Sequence, residues 1–157
     1  MTPQRRRAGW ALALLAVVFA GLQFTSPAHT NPATDASLAI ERRETVPVSV
    51  ARTLDIACRD CHSNRTHWRW YTYVAPISWW TVGHVNQGRA ELNFSVWGTY
   101  GRRLRETRLH AICALTEKRT MPLPAYAQVH PEARVTDQEI RELCAWTEKT
   151  VAAARRP

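Results

Sequence analysis

The string Cys58-Arg59-Asp60-Cys61-His62 constrains this chain more than any other feature of its sequence. Its two thiols lie about one helical turn apart, so both can add to the vinyl groups along one edge of a porphyrin. The adjoining imidazole can then bind the iron as the proximal ligand. The string therefore predicts one covalently attached haem c, held through Cys58 and Cys61, with His62 on the iron.

Two other interpretations of this cysteine pair remain open. A C-x-x-C pair also occurs in thioredoxin-like redox sites, but those need a βαβ context that the sequence does not show. The pair could also form half of a zinc site completed by Cys113 and Cys144. Those two cysteines are 31 positions apart and lack the paired spacing of a zinc ribbon.

Cys113 and Cys144 each fall on the apolar face of a predicted helix. Cys113 follows Leu109 by four residues, and Cys144 follows Ile140 by four, which is the spacing of one helix face. If the two faces pack together in an oxidising compartment, a disulfide can join them. The alternative is two buried thiols that act as small hydrophobic groups.

The first 28 residues have the pattern of a targeting segment. Three consecutive arginines precede an uncharged apolar run at 8–24, and a polar stretch follows it. This order is typical of a secretory signal, and the run approaches the roughly 20 residues that span a bilayer. We therefore expect residues 1–28 to be a removed signal peptide or an inner-membrane anchor, with the remainder in the periplasm.

The rest of the chain is expected to divide into a linker and one domain. Residues 29–45 mix proline, threonine, alanine and charges without apolar periodicity, which predicts a linker. The domain is then expected at 46–153, a length that suits one modest core. The net charge of +8 favours an acidic redox partner or an anionic lipid surface. The basic residues are scattered outside any nucleic-acid-binding motif, which argues against nucleic acid as a partner.

The domain is predicted to be all-α and cytochrome c-like. Helices are expected from about residue 47 into the cysteine motif, at 77–92 and at 102–117. The last helix has the clearest start, because Thr136-Asp137-Gln138-Glu139 is a capping box. No run alternates apolar and polar residues long enough to predict a strand.

Met121 is the leading candidate for the second axial ligand. It stands in a proline-stiffened loop at 120–124, ahead of the last helix, and a thioether is a soft ligand that raises the haem potential. His84 is the main alternative, since a helix at 77–92 can turn it toward the apolar face. His130 or an open iron site is a further alternative, and Met121 could instead simply fill a gap in the core.

Other candidate contacts to the haem come from the aromatic cluster after the cysteine motif. Trp70 and Tyr71 could bond the haem carboxylates through their polar tips, and Arg89 could pair with one of them. Each could instead fill the core or face solvent. The arginines at 102–108 could form a basic docking surface, or simply a solvated helix face.

The residues after the cysteine motif also resemble a known family, the bacterial haem-binding domains. The matching segments are Trp68-Arg69-Trp70-Tyr71, Val74-Ala75-Pro76-Ile77-Ser78-Trp79-Trp80, His84-Val85-Asn86-Gln87-Gly88-Arg89, Leu92-Asn93-Phe94-Ser95-Val96-Trp97 and Met121-Pro122. The likeness extends from Leu22-Gln23-Phe24 to Trp146. It implies a helical haem domain, often tethered to a membrane. The chain departs from the pattern at Arg69, where the family has proline, and at Arg119 or Thr120, where it has glycine.

Together these features predict a mono-haem electron carrier. The alternatives are a five-coordinate haem protein that senses gas or acts like a peroxidase, and a membrane-tethered assembly module whose haem is chiefly structural.

Overall fold

The computed structural model describes residues 3–155, and within that range it contains helices and no strands. The α-helices are α1 Pro3–Gln23, α2 Ile40–Arg43, α3 Val48–Thr53, α4 Arg59–His62, α5 Ile77–Glu91, α6 Arg102–Glu117, α7 Pro124–Val129 and α8 Asp137–Ala154. Short 3-10 helices lie at Ala36–Leu38, Trp70–Tyr73, Phe94–Thr99 and Pro131–Ala133, and a π-helical turn at Leu54–Cys58 joins α3 to α4. The all-α prediction is confirmed.

The core is built around α6 and α8, which pack along each other. Both helices are amphipathic, and each buries one apolar face, with Leu109 and Ile112 on α6 and Leu143 on α8. A disulfide between Cys113 and Cys144, whose Cα atoms are 4.8 Å apart, joins the two buried faces. The pairing that the helix faces suggested is therefore present.

The predicted capping box begins α8. The Thr136 hydroxyl accepts a hydrogen bond from the Glu139 amide, and the Glu139 carboxylate accepts one from the Thr136 amide. Two amides that would otherwise lack an acceptor are thereby satisfied.

The segment predicted as a linker, 29–45, is instead part of the folded domain. Ile40 is 0% exposed and belongs to the same apolar cluster as Trp97 and Leu143. The Trp97 indole donates to the Glu44 carboxylate at 2.8 Å, and the Trp146 indole donates to the Thr45 carbonyl at 3.1 Å. The segment is held by one buried isoleucine and by hydrogen bonds from tryptophans that are distant in the sequence. Such contacts do not require apolar periodicity within the segment itself.

Helix α1 covers most of the predicted targeting segment, and it has no buried residue. None of the helices within residues 3–155 is both long enough and apolar enough to cross a membrane. The chain just after α1 contacts the domain. Gln23 accepts from the Ala75 amide at 2.9 Å, and the Trp79 indole donates to the Thr25 carbonyl at 3.0 Å.

Candidate haem site

A cavity of about 350 Å³ lies among α3, the cysteine motif, α5, α6 and the loop before α7. Its walls are mainly apolar, as in most cofactor sites. Among its lining residues are Cys58, Cys61, His62, Met121 and His84. The structure therefore brings both predicted attachment thiols, the predicted proximal ligand and both leading candidates for the distal ligand to one cavity.

The two thiols are held in their uncharged form. Burial raises the pKa of Cys58 to about 12, helped by the nearby Cys61, and raises the pKa of Cys61 to about 11, helped by Asp60. A thioredoxin-like redox site needs a thiolate of low pKa, so this environment does not favour that alternative. Because Cys113 and Cys144 are bonded to each other, they do not complete a zinc site with Cys58 and Cys61.

The His62 ring is oriented by the last turn of α5. Its Nδ1–H points at the carbonyl oxygens of Gly88 and Leu92, each 3.0 Å away. Burial lowers the pKa of His62, which favours the neutral imidazole. With the proton on Nδ1, the lone pair lies on Nε2, on the opposite side of the ring. A histidine metal ligand usually has this arrangement, with its second nitrogen bonded to a carbonyl.

Gly88 allows the cysteine motif to lie against α5. A Cβ atom at position 88 would be 2.6 Å from the backbone oxygen of Cys61, and neither backbone can yield without moving the other. On the same helix, a Cβ at Gly83 would meet nothing within 4 Å. The glycine in the His84–Arg89 segment is therefore required by the packing of α4 on α5.

We expect Gly88→Ala to lower the free energy of unfolding by about 1–3 kcal/mol, because the overlap with Cys61 forces the two elements apart. Gly83→Ala is the matched control, and it should raise that free energy by up to about 1 kcal/mol through its better helix propensity. Urea denaturation of both variants measures the difference. Equal effects of the two substitutions would contradict a tight contact at position 88.

The two candidate distal ligands come from different elements. Met121 is half-buried in the loop after α6, where its amide donates to the Leu115 carbonyl at 3.2 Å. His84 lies on α5 and uses Nδ1 to bond the Trp80 carbonyl at 2.8 Å, and its Nε2 has no hydrogen-bond partner among the described residues. The third candidate, His130, is buried outside the cavity lining and bonds Tyr71 and Glu132 through its two nitrogens.

The sequence suggested that Arg89 lies beside the haem. The structure instead places Arg89 outside the cavity lining. Four of its N–H groups are used elsewhere in the domain. Their acceptors are the Ser63 and Thr30 carbonyls, the Asn31 side chain and the Thr66 hydroxyl, all at 2.7–2.8 Å. Arg89 therefore ties the segment at 30–31 to the loop after the cysteine motif.

Trp70 and Tyr71 also lie outside this cavity lining. Trp70 is 80% exposed. Tyr71 lines a smaller pocket beside the cavity, and its hydroxyl bonds the buried His130. Trp70 therefore faces solvent, and Tyr71 belongs to a separate hydrogen-bond network. Neither ring lies at the cavity, where the sequence had suggested them.

The sequence suggested Arg108 only as part of a basic docking surface, whereas the structure places it on the cavity wall. Arg108 lines the cavity, and its Nη1 donates to the exposed Glu91 carboxylate at 3.0 Å. It is the only arginine or lysine among the described residues of the lining, and a mainly apolar cavity with one cation on its wall fits a flat hydrophobic ring with anionic substituents, which is the chemistry of haem. The sequence did contain a signal for the inward position of Arg108. Arg108 stands one turn before the buried Ile112, at the edge of the apolar face of α6.

Comparison with known proteins gives the family of this chain. The family model described as the haem-binding domain matches residues 17–149, a range that contains all of the cavity lining. No curated protein and no solved structure matches the chain at a significant level. Since the match covers most of the chain, the protein belongs to the haem-binding domain family, and haem is its cofactor.

Proposed function

We propose that this protein carries a single haem c, joined covalently to Cys58 and Cys61, and that it transfers electrons outside the bacterial cytoplasm. His62 and Met121 are the proposed axial ligands. The main support for this proposal is the set of side chains that line the cavity. One mainly apolar space is lined by both thiols, by an imidazole whose Nδ1 is already bonded, and by a thioether.

The residues have separate tasks in this proposal. Cys58 and Cys61 tether one edge of the ring, and Cys58 also packs against both apolar clusters of the core. Gly88 and Leu92 hold the His62 ring so that Nε2 is free for the iron. The apolar wall excludes water, which tunes the potential of the one-electron chemistry that bound haem supplies.

Met121 suits the distal position better than His84. Two axial ligands stand on opposite faces of a planar ring. The C-terminal turn of α5 binds the Nδ1 side of His62, so Nε2, the atom that would bind iron, lies away from that turn. His84 belongs to the same helix, one turn before Gly88, whereas Met121 comes from a separate loop on the cavity wall.

Export is supported by two independent features. The arginines ahead of the apolar run are typical of a secretory signal. The disulfide between Cys113 and Cys144 is of the kind that persists in an oxidising compartment such as the periplasm. The net charge of +8 suits an acidic redox partner.

The test is the mass of the protein made in bacteria that mature c-type cytochromes. We expect the purified polypeptide to be heavier by one haem, and its colour to remain on the protein in acid acetone. The double variant Cys58→Ala/Cys61→Ala should lose the added mass. The control Cys113→Ala/Cys144→Ala should keep it, because those cysteines are bonded to each other. An unmodified wild-type mass with extractable pigment would refute covalent attachment.

A further inference from the structure

Arg108 stands at the mouth of the haem cavity. The lining residues Gln87, Glu91 and Leu115 are exposed, so this side of the cavity opens to solvent. Cys58, by contrast, packs against both apolar clusters of the core. In haem the vinyl groups and the two propionates occupy opposite halves of the ring. A ring tethered through Cys58 and Cys61 would therefore have its propionate edge toward the mouth.

The guanidinium of Arg108 is only partly satisfied within the described chain. Its Nη1 donates to the Glu91 carboxylate at 3.0 Å. Its Nε is enclosed by protein atoms, so the guanidinium can reach a bound group only through its Nη atoms. Arg108 is the only arginine or lysine among the described residues that line the cavity, and its remaining Nη N–H groups are available to an acceptor that belongs to the bound group. A carboxylate matches the planar fork of a guanidinium best.

Glu91 is the neighbour that would compete with this acceptor. Its side chain is 65% exposed, so it can turn into water without leaving a buried charge behind. A carboxylate beside a propionate destabilises the negative charge of both groups. Glu91 and Arg108 should therefore act on the haem in opposite directions.

We propose that Arg108 binds a haem propionate and that Glu91 competes for the same guanidinium. This rests on the proposed haem c attachment, and it assigns to Arg108 the role that the sequence had suggested for Arg89.

Three variants of the mature holoprotein test the proposal. They are Arg108→Gln, Glu91→Gln and, as a matched control, the exposed Arg103→Gln on the same helix. Two properties are measured: the midpoint potential by spectroelectrochemistry and the propionate bending band by resonance Raman spectroscopy. Neither depends on turnover with a redox partner.

Arg108→Gln should lower the midpoint potential, because a positive charge beside the ring favours the reduced form. At a fixed applied potential near the midpoint, the ratio of reduced to oxidised protein should fall by roughly fivefold, as for loss of one partly screened charge. The propionate band should shift as well. Glu91→Gln should raise the potential. Arg103→Gln should change neither property appreciably, since Arg103 is exposed and lies outside the cavity lining, where solvent and salt screen its charge.

Some outcomes would overturn the proposal. Arg108 would be only the ion-pair partner of Glu91 if Arg108→Gln leaves both properties as Arg103→Gln does. If Arg108→Gln gives no folded protein, Arg108→Lys is used, because it keeps the charge but not the planar fork. A shifted propionate band then supports the proposal, and an unchanged band overturns it. A wild-type protein without covalent haem would refute the proposed function, a result that the mass measurement detects separately.

Discussion

Met121→Ala is expected to convert the ferric protein from six-coordinate low-spin haem to a high-spin form with an open distal site. The thioether is the proposed sixth ligand, and alanine has no atom that can replace it. Without it, the reduced protein should bind carbon monoxide with no ligand to displace, and the midpoint potential should fall because methionine ligation raises it. Visible absorption and magnetic circular dichroism of the wild type and the variant measure the change directly.

His84→Ala is the matched control for this experiment. His84 lines the same cavity but lies on α5, so its loss should leave the ferric spectrum low-spin. The opposite pattern, in which His84→Ala opens the iron and Met121→Ala does not, would make His84 the distal ligand. A wild-type spectrum that is already high-spin would instead favour the gas-binding or peroxidase-like alternative.

Removing the disulfide should have the largest effect on stability. In the chain-entropy model, a cross-link between cysteines 31 residues apart stabilises the fold by about 3–4 kcal/mol. Cys113→Ala/Cys144→Ala is therefore expected to lower the free energy of unfolding by about that amount. The cross-link joins α6 to α8, and Ile112 and Leu143 of these helices line the haem cavity. Urea denaturation followed by far-ultraviolet circular dichroism measures the change.

Chemical reduction of the wild type provides an independent comparison. A thiol reductant opens the disulfide but leaves thioether bonds to haem intact, so reduced wild type and the double variant should unfold at similar urea concentrations. If neither treatment changes the unfolding midpoint, the bond between α6 and α8 contributes nothing to stability. If only the double variant is destabilised, the loss comes from packing around Cys113 and Cys144 rather than from the cross-link.

The features that the sequence predicted correctly depend on residues close together in the chain. Cys58, Cys61 and His62 lie within one helical turn, as their spacing predicted. The capping box at 136–139 likewise begins α8. The helices expected at 77–92 and 102–117 match Ile77–Glu91 and Arg102–Glu117 to within one residue. Local hydrogen bonding and the period of an apolar face suffice for such predictions.

The features that the sequence missed depend on contacts between distant residues. Segment 29–45 looked like a linker because its burial comes from one side chain, Ile40, and from bonds donated by Trp97 and Trp146. Arg89 and Arg108 each stand on a helix near apolar residues, so their sequence positions do not distinguish them. Only the fold directs Arg89 to the segment at 30–31 and Arg108 to the cavity.

By itself, then, the sequence predicted the chemistry at one point in the chain: two thiols and an imidazole at a spacing typical of haem attachment. The tertiary structure decided what surrounds that point. It brought the carbonyls of Gly88 and Leu92 to His62, Met121 to the cavity, and one arginine to its mouth. The physical reason is distance along the chain. A five-residue motif carries its own geometry, whereas the partners of that motif are chosen by how helices tens of residues apart pack together.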